Sequence, residues 1–185
     1  MTTVLIVHGA GGFPEENWFP WLKRQLEARG CSVVVPQFPT PRGQTLEAWL
    51  EVFQRCARDF EPDVILVGHS LGVPFLLNVL ETRKAKAAFL VAGFIGVLGN
   101  EFDEGVKTFA CRDFDWDSVR RNCKRFYVFS SDDDHCVPLG KGSELAGKLG
   151  TKQVVVRGAG HFNAAAGFLE FRLLLEKIDG ELARG

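Results

Sequence analysis

The chain has 185 residues, enough to bury one core and too few for two comfortable ones, so a single domain over 1–185 is expected. Hydrophobic residues make up 46% and charged residues 24%, which excludes a disordered chain. The formal net charge is -1 and the cations are scattered (Lys23 and Arg24, Lys84 and Lys86, Arg120 and Arg121), which argues against nucleic acid as a partner.

In chain order, Met1-Thr2-Thr3 leads straight into the apolar run Val4 to Val7. With no charged leader and no long apolar stretch, this predicts a first strand, not a signal peptide, and a cytoplasmic protein that spans no membrane. Further short apolar runs fall at 32–35, 64–67, 87–91, 126–129 and 153–156. Their near-continuous hydrophobicity predicts strands buried on both faces. Between them lie segments with helical spacing, such as Trp18, Trp21, Leu22, Leu26, then Leu46, Trp49, Leu50, Phe53. The alternation predicts an α/β fold: a three-layer α/β/α sandwich with about six mostly parallel strands, binding ligands beyond their carboxyl ends. The longest connection, 93–124, predicts a lid or binding loop that shapes the substrate pocket, and it is too short for a large cap domain.

Five cysteines (Cys31, Cys56, Cys111, Cys123, Cys136) are odd in number and widely spaced, with no C-x-x-C pair. Neither a disulfide framework nor a zinc site is expected, and free thiols fit a reducing cytosol.

The segment Gly68-His69-Ser70-Leu71-Gly72 lies between the apolar run ending at Val67 and the apolar helical segment Val73 to Leu80. A G-x-S-x-G turn in that context is a nucleophile elbow: glycines allow close backbone approach, and the serine is pushed out at the top of the sheet. Pro74 falls in the first helical turn, where its missing N–H costs little. A serine hydroxyl needs a base, and His8, His69, His135 and His161 are the candidates. His69 adjoins Ser70 in a sharp turn, so the two side chains should diverge, and His8 should shape the glycine loop after the first strand. His161, just after the last strand, suits the order Ser, acid, His of α/β-hydrolases.

An acid that orients His161 is expected on the loop after the fifth strand, at Asp132-Asp133-Asp134. Composition does not separate the three. A metal cluster of these carboxylates with His135 is discounted, because consecutive side chains on one short loop cannot all converge. The oxyanion hole would take the N–H of Leu71 and one from His8-Gly9-Ala10-Gly11-Gly12, assigned to Ala10 with Gly9 and Gly11 left open. A dinucleotide loop does not fit, since Pro14 stands where G-x-G-x-x-G needs glycine.

With these residues identified, the chain resembles the small serine hydrolase family of retinoblastoma-binding protein nine and YdeN, a compact branch of the α/β-hydrolases. The likeness runs through the loop Gly9 to Gly12, the pair Trp18 and Trp21, the elbow Gly68 to Gly72, the segment Asp134 to Pro138, and Gly160-His161-Phe162. The resemblance implies Asp134 as the acid, because it begins the family's Asp-x-x-(aliphatic)-Pro, with Ser70 and His161 as nucleophile and base. One departure is His135, where proline is common. The implied activity is cleavage of a small carboxylic ester, or less readily an amide or thioester, with no cofactor and no metal. A non-catalytic binding role for the same fold is the competing expectation, with Trp18, Trp21, Phe94 and Trp116 as candidate exposed contacts for a protein partner.

Overall fold

Strand residues of this chain alternate strictly between two cores, which is what a sheet covered on both faces requires. The computed structural model describes residues 1–57, 60 and 62–184. Leu5, Val7, Leu66, Ala88, Leu90 and Val128 point into one core, while Val4, Ile6, Ile65, Val67, Phe89 and Phe129 point into the other. The strands are β1 Thr3–Val7, β2 Ser32–Val34, β3 Ile65–His69, β4 Ala87–Val91, β5 Phe126–Ser131 and β6 Gln153–Val156. They form one sheet in the order β2-β1-β3-β4-β5-β6, every pair parallel. This is the expected three-layer α/β/α sandwich, compact and without a large cap.

The helices sort by core. Helix α1 (Phe19–Glu27) and α7 (Arg172–Leu182) bury Leu22, Leu26, Leu174 and Ile178 on one face. On the other lie α2 (Leu46–Cys56), α3 (Gly72–Leu80), α4 (Asp103–Ala110), α5 (Trp116–Asn122) and α6 (Leu139–Leu149). Because α1 leads from β1 to one neighbour and α2 crosses back over β1 to the other, the strand order reverses between β1 and β3. A crevice opens there beyond the carboxyl ends, the usual ligand position in such sheets. The residues following β1 and β3 are the glycine loop and Ser70.

Helix ends follow local chemistry. Thr45 caps α2 by accepting from the Ala48 N–H at 3.2 Å, and Gly150 ends α6 in the left-handed conformation, φ 68°. Helix α3 is buried at all nine positions, including Asn78, whose amide donates to the carbonyls of Pro74 at 2.7 Å and Phe109 at 2.9 Å.

The segment 93–124 departs from expectation. It folds into α4 and α5, which bury Val106, Phe109 and Val119 against the α3 side of the sheet. Asn122 donates to the Leu80 carbonyl at 2.9 Å, and Arg112 to Asn78 Oδ1 at 2.6 Å. The apolar residues of this connection complete the core, so the segment is part of the helical layer and not a lid. Strand β3 also runs two residues further than its apolar run, because Gly68 and His69 continue the ladder to Leu90 and Val91.

Gly72 marks the tightest approach to neighbouring backbone. A Cβ there would lie 2.5 Å from the Val7 carbonyl oxygen and 2.9 Å from that of His8. Both obstacles are backbone and cannot swing aside. Gly72→Ala is therefore expected to destabilise the fold by about 2 kcal/mol or more, measured by urea unfolding. A cost below about 0.5 kcal/mol would mean that α3 and β1 slide apart freely.

Candidate active site

The backbone of Ser70 is left-handed, φ 53°, a conformation that costs an L-residue roughly 1–2 kcal/mol. It is held from both sides: the Ser70 N–H donates to the Val91 carbonyl at 2.9 Å, and its own carbonyl accepts from the Val73 N–H at 2.9 Å. Gly68 makes the bend possible, since a Cβ there would meet Leu76 Cδ1 at 2.9 Å and the Gly72 backbone at 3.0 Å. The loop after β1 packs on the serine itself, and a Cβ on Gly9 would lie 3.0 Å from Ser70 Cβ.

Helix α3 begins at Gly72 with Leu71 as its cap residue and no capping side chain. The Val73 N–H is taken by the Ser70 carbonyl and Pro74 has none, so the N–H groups left open at this helix start are those of Leu71 and Gly72. The Leu71 and Ala10 N–H groups engage no acceptor among the described residues. Gly11 N–H, by contrast, donates to Thr40 Oγ1 at 2.6 Å. Of the three glycine-loop positions considered from sequence, Ala10 and Gly9 keep a free N–H, and Gly11 drops out.

His161 and Asp134 meet as the resemblance implied. His161 Nδ1 donates to Asp134 Oδ2 at 2.9 Å and lies 3.1 Å from Oδ1. An ionised carboxylate only accepts, so the proton sits on Nδ1 and leaves Nε2 as the basic nitrogen. The carboxylate also accepts from the N–H groups of Cys136 at 2.8 Å and Val137 at 3.0 Å. Burial alone would raise the Asp134 carboxyl's pKa, but His161 and these two N–H groups together hold it below the usual carboxylate range. The acid is therefore ionised at neutral pH. Ser70 Oγ and His161 line one cavity without a direct hydrogen bond, a contact that commonly tightens only around a reacting substrate.

The other two aspartates have different tasks. Asp132 Oδ1 accepts from the Gly158 N–H at 2.9 Å, Ser131 Oγ from the Ala159 N–H at 3.0 Å, and Asp133 Oδ1 from the Gly160 N–H at 2.7 Å. Three successive side chains of one loop thus hold three successive N–H groups of the loop that carries His161. Beyond the histidine, the Trp18 indole N–H donates to the Phe162 carbonyl at 3.0 Å, and Asn17 Oδ1 accepts from the Ala164 N–H at 2.8 Å. None of these contacts was visible in the sequence, although the Gly158-Ala159-Gly160 run marks a backbone free of side chains that could block such an approach.

The remaining histidines play local roles. His69 Nε2 donates to the His161 carbonyl at 2.8 Å, and burial together with the neighbouring His161 drives its pKa down to about 3, so it is neutral. His8 Nδ1 donates to the Gly9 carbonyl at 2.8 Å while Nε2 accepts from the Phe38 N–H at 3.0 Å. Both of its nitrogens are engaged, and burial lowers its pKa. His135 is exposed.

A polar cavity of about 240 Å³ opens on Ser70, walled by Ala10, Glu16, Asn17, His161 and Asn163. No residue of 93–124 lines it, so the expectation that this segment shapes the pocket is replaced by the loops 9–17 and 161–165. Trp18 and Phe94, expected as exposed contacts, are interior, and Trp21 and Trp116 are half-buried. Among the described residues, Asp134, Cys136 and His161 bring ligating atoms within 4.8 Å of one another. The atoms that would face an ion are already bonded: Nδ1 to the carboxylate, and the carboxylate to two N–H groups. No helix of the described residues is long and apolar enough to cross a membrane.

Comparison with known proteins bears on the family and the fold. YdeN of Bacillus subtilis (strain 168) is 30% identical over 184 residues, spanning 95% of this chain and 93% of its own. Serine hydrolase RBBP9 of Rattus norvegicus is 28% identical over 164 residues, 87% of each chain. The crystal structure of YdeN superposes with a TM-score of 0.92, covering 99% of this chain and 100% of that one. Est1E from Butyrivibrio proteoclasticus, solved with ferulic acid, shares the fold at a TM-score of 0.74 and 17% identity, over 99% of this chain and 90% of its own. Residues 4–179 match the family described as serine hydrolase, and the chain belongs to that family.

Proposed function

We propose that the chain is a carboxylesterase-type serine hydrolase in which Ser70, His161 and Asp134 form the catalytic triad. The observation that carries this reading is the Asp134-to-His161 hydrogen bond, which fixes Nε2 as the base in the same cavity as a left-handed, outward-facing Ser70. Ser70 Oγ attacks the ester carbonyl as His161 Nε2 takes its proton, and the ionised Asp134 stabilises the imidazolium that forms. The N–H groups of Leu71 and Ala10 receive the oxyanion, reinforced by the positive end of α3. Collapse expels the alcohol, which takes the proton from His161. Water, activated by the same base, then releases the acid from the acyl-serine.

The modest size of the cavity supports a small ester over a long acyl chain or a polymer. The chemistry needs no cofactor. Five unpaired cysteines support a reducing, cytoplasmic setting.

A fluorophosphonate probe is expected to label the wild type and to leave Ser70→Ala unlabelled, read by intact-protein mass spectrometry. Equal labelling of the two would remove Ser70 from the mechanism. His161→Ala should lower kcat on p-nitrophenyl acetate by about 10³-fold or more, whereas His8→Ala should act mainly on stability. The reverse order would make His8 the base. Asp133→Ala releases the Gly160 N–H and lets the His161 loop relax. Loss of about one ångström of positioning predicts a fall in kcat of about tenfold or more with little change in KM. A kcat within twofold of wild type would show that the remaining bonds suffice to hold the histidine.

A further inference from the structure

Glu16 is the one formally charged acid in the wall of the cavity at Ser70. It is half-buried, and no lysine or arginine among the described residues pairs with it. Its carboxylate folds back over the glycine loop, where Oε1 lies so close to Gly12 that any Cβ at that position would collide with it. Burial pushes its pKa above the usual glutamate range, more than the Phe13 backbone and the charge of His161 pull it down. A carboxylate removed from water without a cation is an unbalanced cost that a ligand cation would offset.

The neighbouring polar groups do not serve that purpose. The side-chain oxygens of Asn17 and Asn163 already accept from the N–H groups of Ala164 and Ala166. What remains of each amide is its donor end, which repels a cation. Within the wall, only Glu16 offers an acceptor of full charge.

We propose that Glu16 is a specificity residue that selects esters carrying a protonated amine or a quaternary ammonium on their acyl or alcohol part. This deepens the reading of Ser70 as an esterase nucleophile and rests on it. The cation would sit against the carboxylate while the carbonyl carbon lies at Ser70. The cavity holds only about 240 Å³, so the charge should stand only a few bonds from the ester. A carboxylate that faced the site merely to stabilise the His161 imidazolium would favour no substrate over another, and this separates the two roles.

Two isosteric pairs test it. One is p-nitrophenyl β-alaninate against p-nitrophenyl butyrate, which differ by an ammonium in place of a methyl. The other is acetylcholine against its neutral analogue with tert-butyl in place of trimethylammonium. The readout is the ratio of kcat/KM within each pair. The wild type is expected to favour the cationic member of at least one pair by about tenfold or more, and Glu16→Gln to abolish that preference. Glu16→Asp, which keeps the charge, should retain part of it, and Glu16→Lys should reverse it. No cationic preference in either pair, or an equal loss on both members in Glu16→Gln, would overturn the proposal. Hydrolysis that survives in Ser70→Ala would instead overturn the esterase reading itself, whatever Glu16 does.

Discussion

The site depends first on how closely helix α3 approaches the end of strand β1. With the Val7 and His8 carbonyls against Gly72, the chain leaving β3 has no room for an ordinary turn and must pass through a left-handed residue. That residue is Ser70. The same approach sets Gly9 against the serine, and at the start of α3 the N–H groups of Leu71 and Gly72 are left without an acceptor among the described residues. The strain is small beside what it secures. A left-handed residue costs roughly 1–2 kcal/mol, whereas burying a single Leu, Val or Phe stabilises by roughly 1.5–3 kcal/mol, and α3 is buried along its whole length. Packing of α3 therefore outweighs the backbone strain several times over, and the half-buried serine keeps its place in the cavity wall because the helix cannot retreat.

The histidine is positioned by a different device. Beyond the Asp134 carboxylate on its Nδ1, the loop carrying His161 is held by a series of side-chain hydrogen bonds to its backbone, from Asp132, Ser131 and Asp133 on one side and from His69, Trp18 and Asn17 on the other. Each such bond contributes about 1 kcal/mol net, and ordering each residue of the loop costs about 1–2 kcal/mol of backbone entropy. The two nearly cancel. The clamp thus adds little to global stability and serves to hold the imidazole in one place, which the role proposed for it requires.

The elbow was legible in the sequence because its determinants are local: two glycines around a serine, an apolar run before and an apolar helix after. The strands were legible for the same reason, although their ends were not, since Gly68 and His69 join β3 only through pairing with β4. The aspartates were not separable by composition. Asp132, Asp133 and Asp134 are chemically alike, and their roles diverge only when the His161 loop comes to lie across them, a contact 27 residues distant in sequence for Asp134. The resemblance resolved what the residues alone did not. The segment 93–124 was misread for a related reason: Val106, Phe109 and Val119 sit on short helices whose apolar faces gain meaning only against α3. Of the four aromatics expected at the surface, Trp18 and Phe94 lie in the interior, and Trp18 anchors the His161 loop.

Two kinds of structure meet at the cavity, and their separation has a consequence for how such a site can change. The groups proposed for bond making and breaking are fixed by backbone geometry, by glycines and by the loop clamp, so substitution there strains the fold or moves the base. The facing wall is built differently. It is formed by the surface loop 13–17, tethered to the histidine loop through Asn17, itself left-handed at φ 54°, while Glu16 holds no clamp contact. A change at Glu16 therefore breaks none of the hydrogen bonds that hold the elbow, the Asp134-to-His161 pair or the His161 loop. The proposed selectivity and the proposed chemistry are thus carried by different elements.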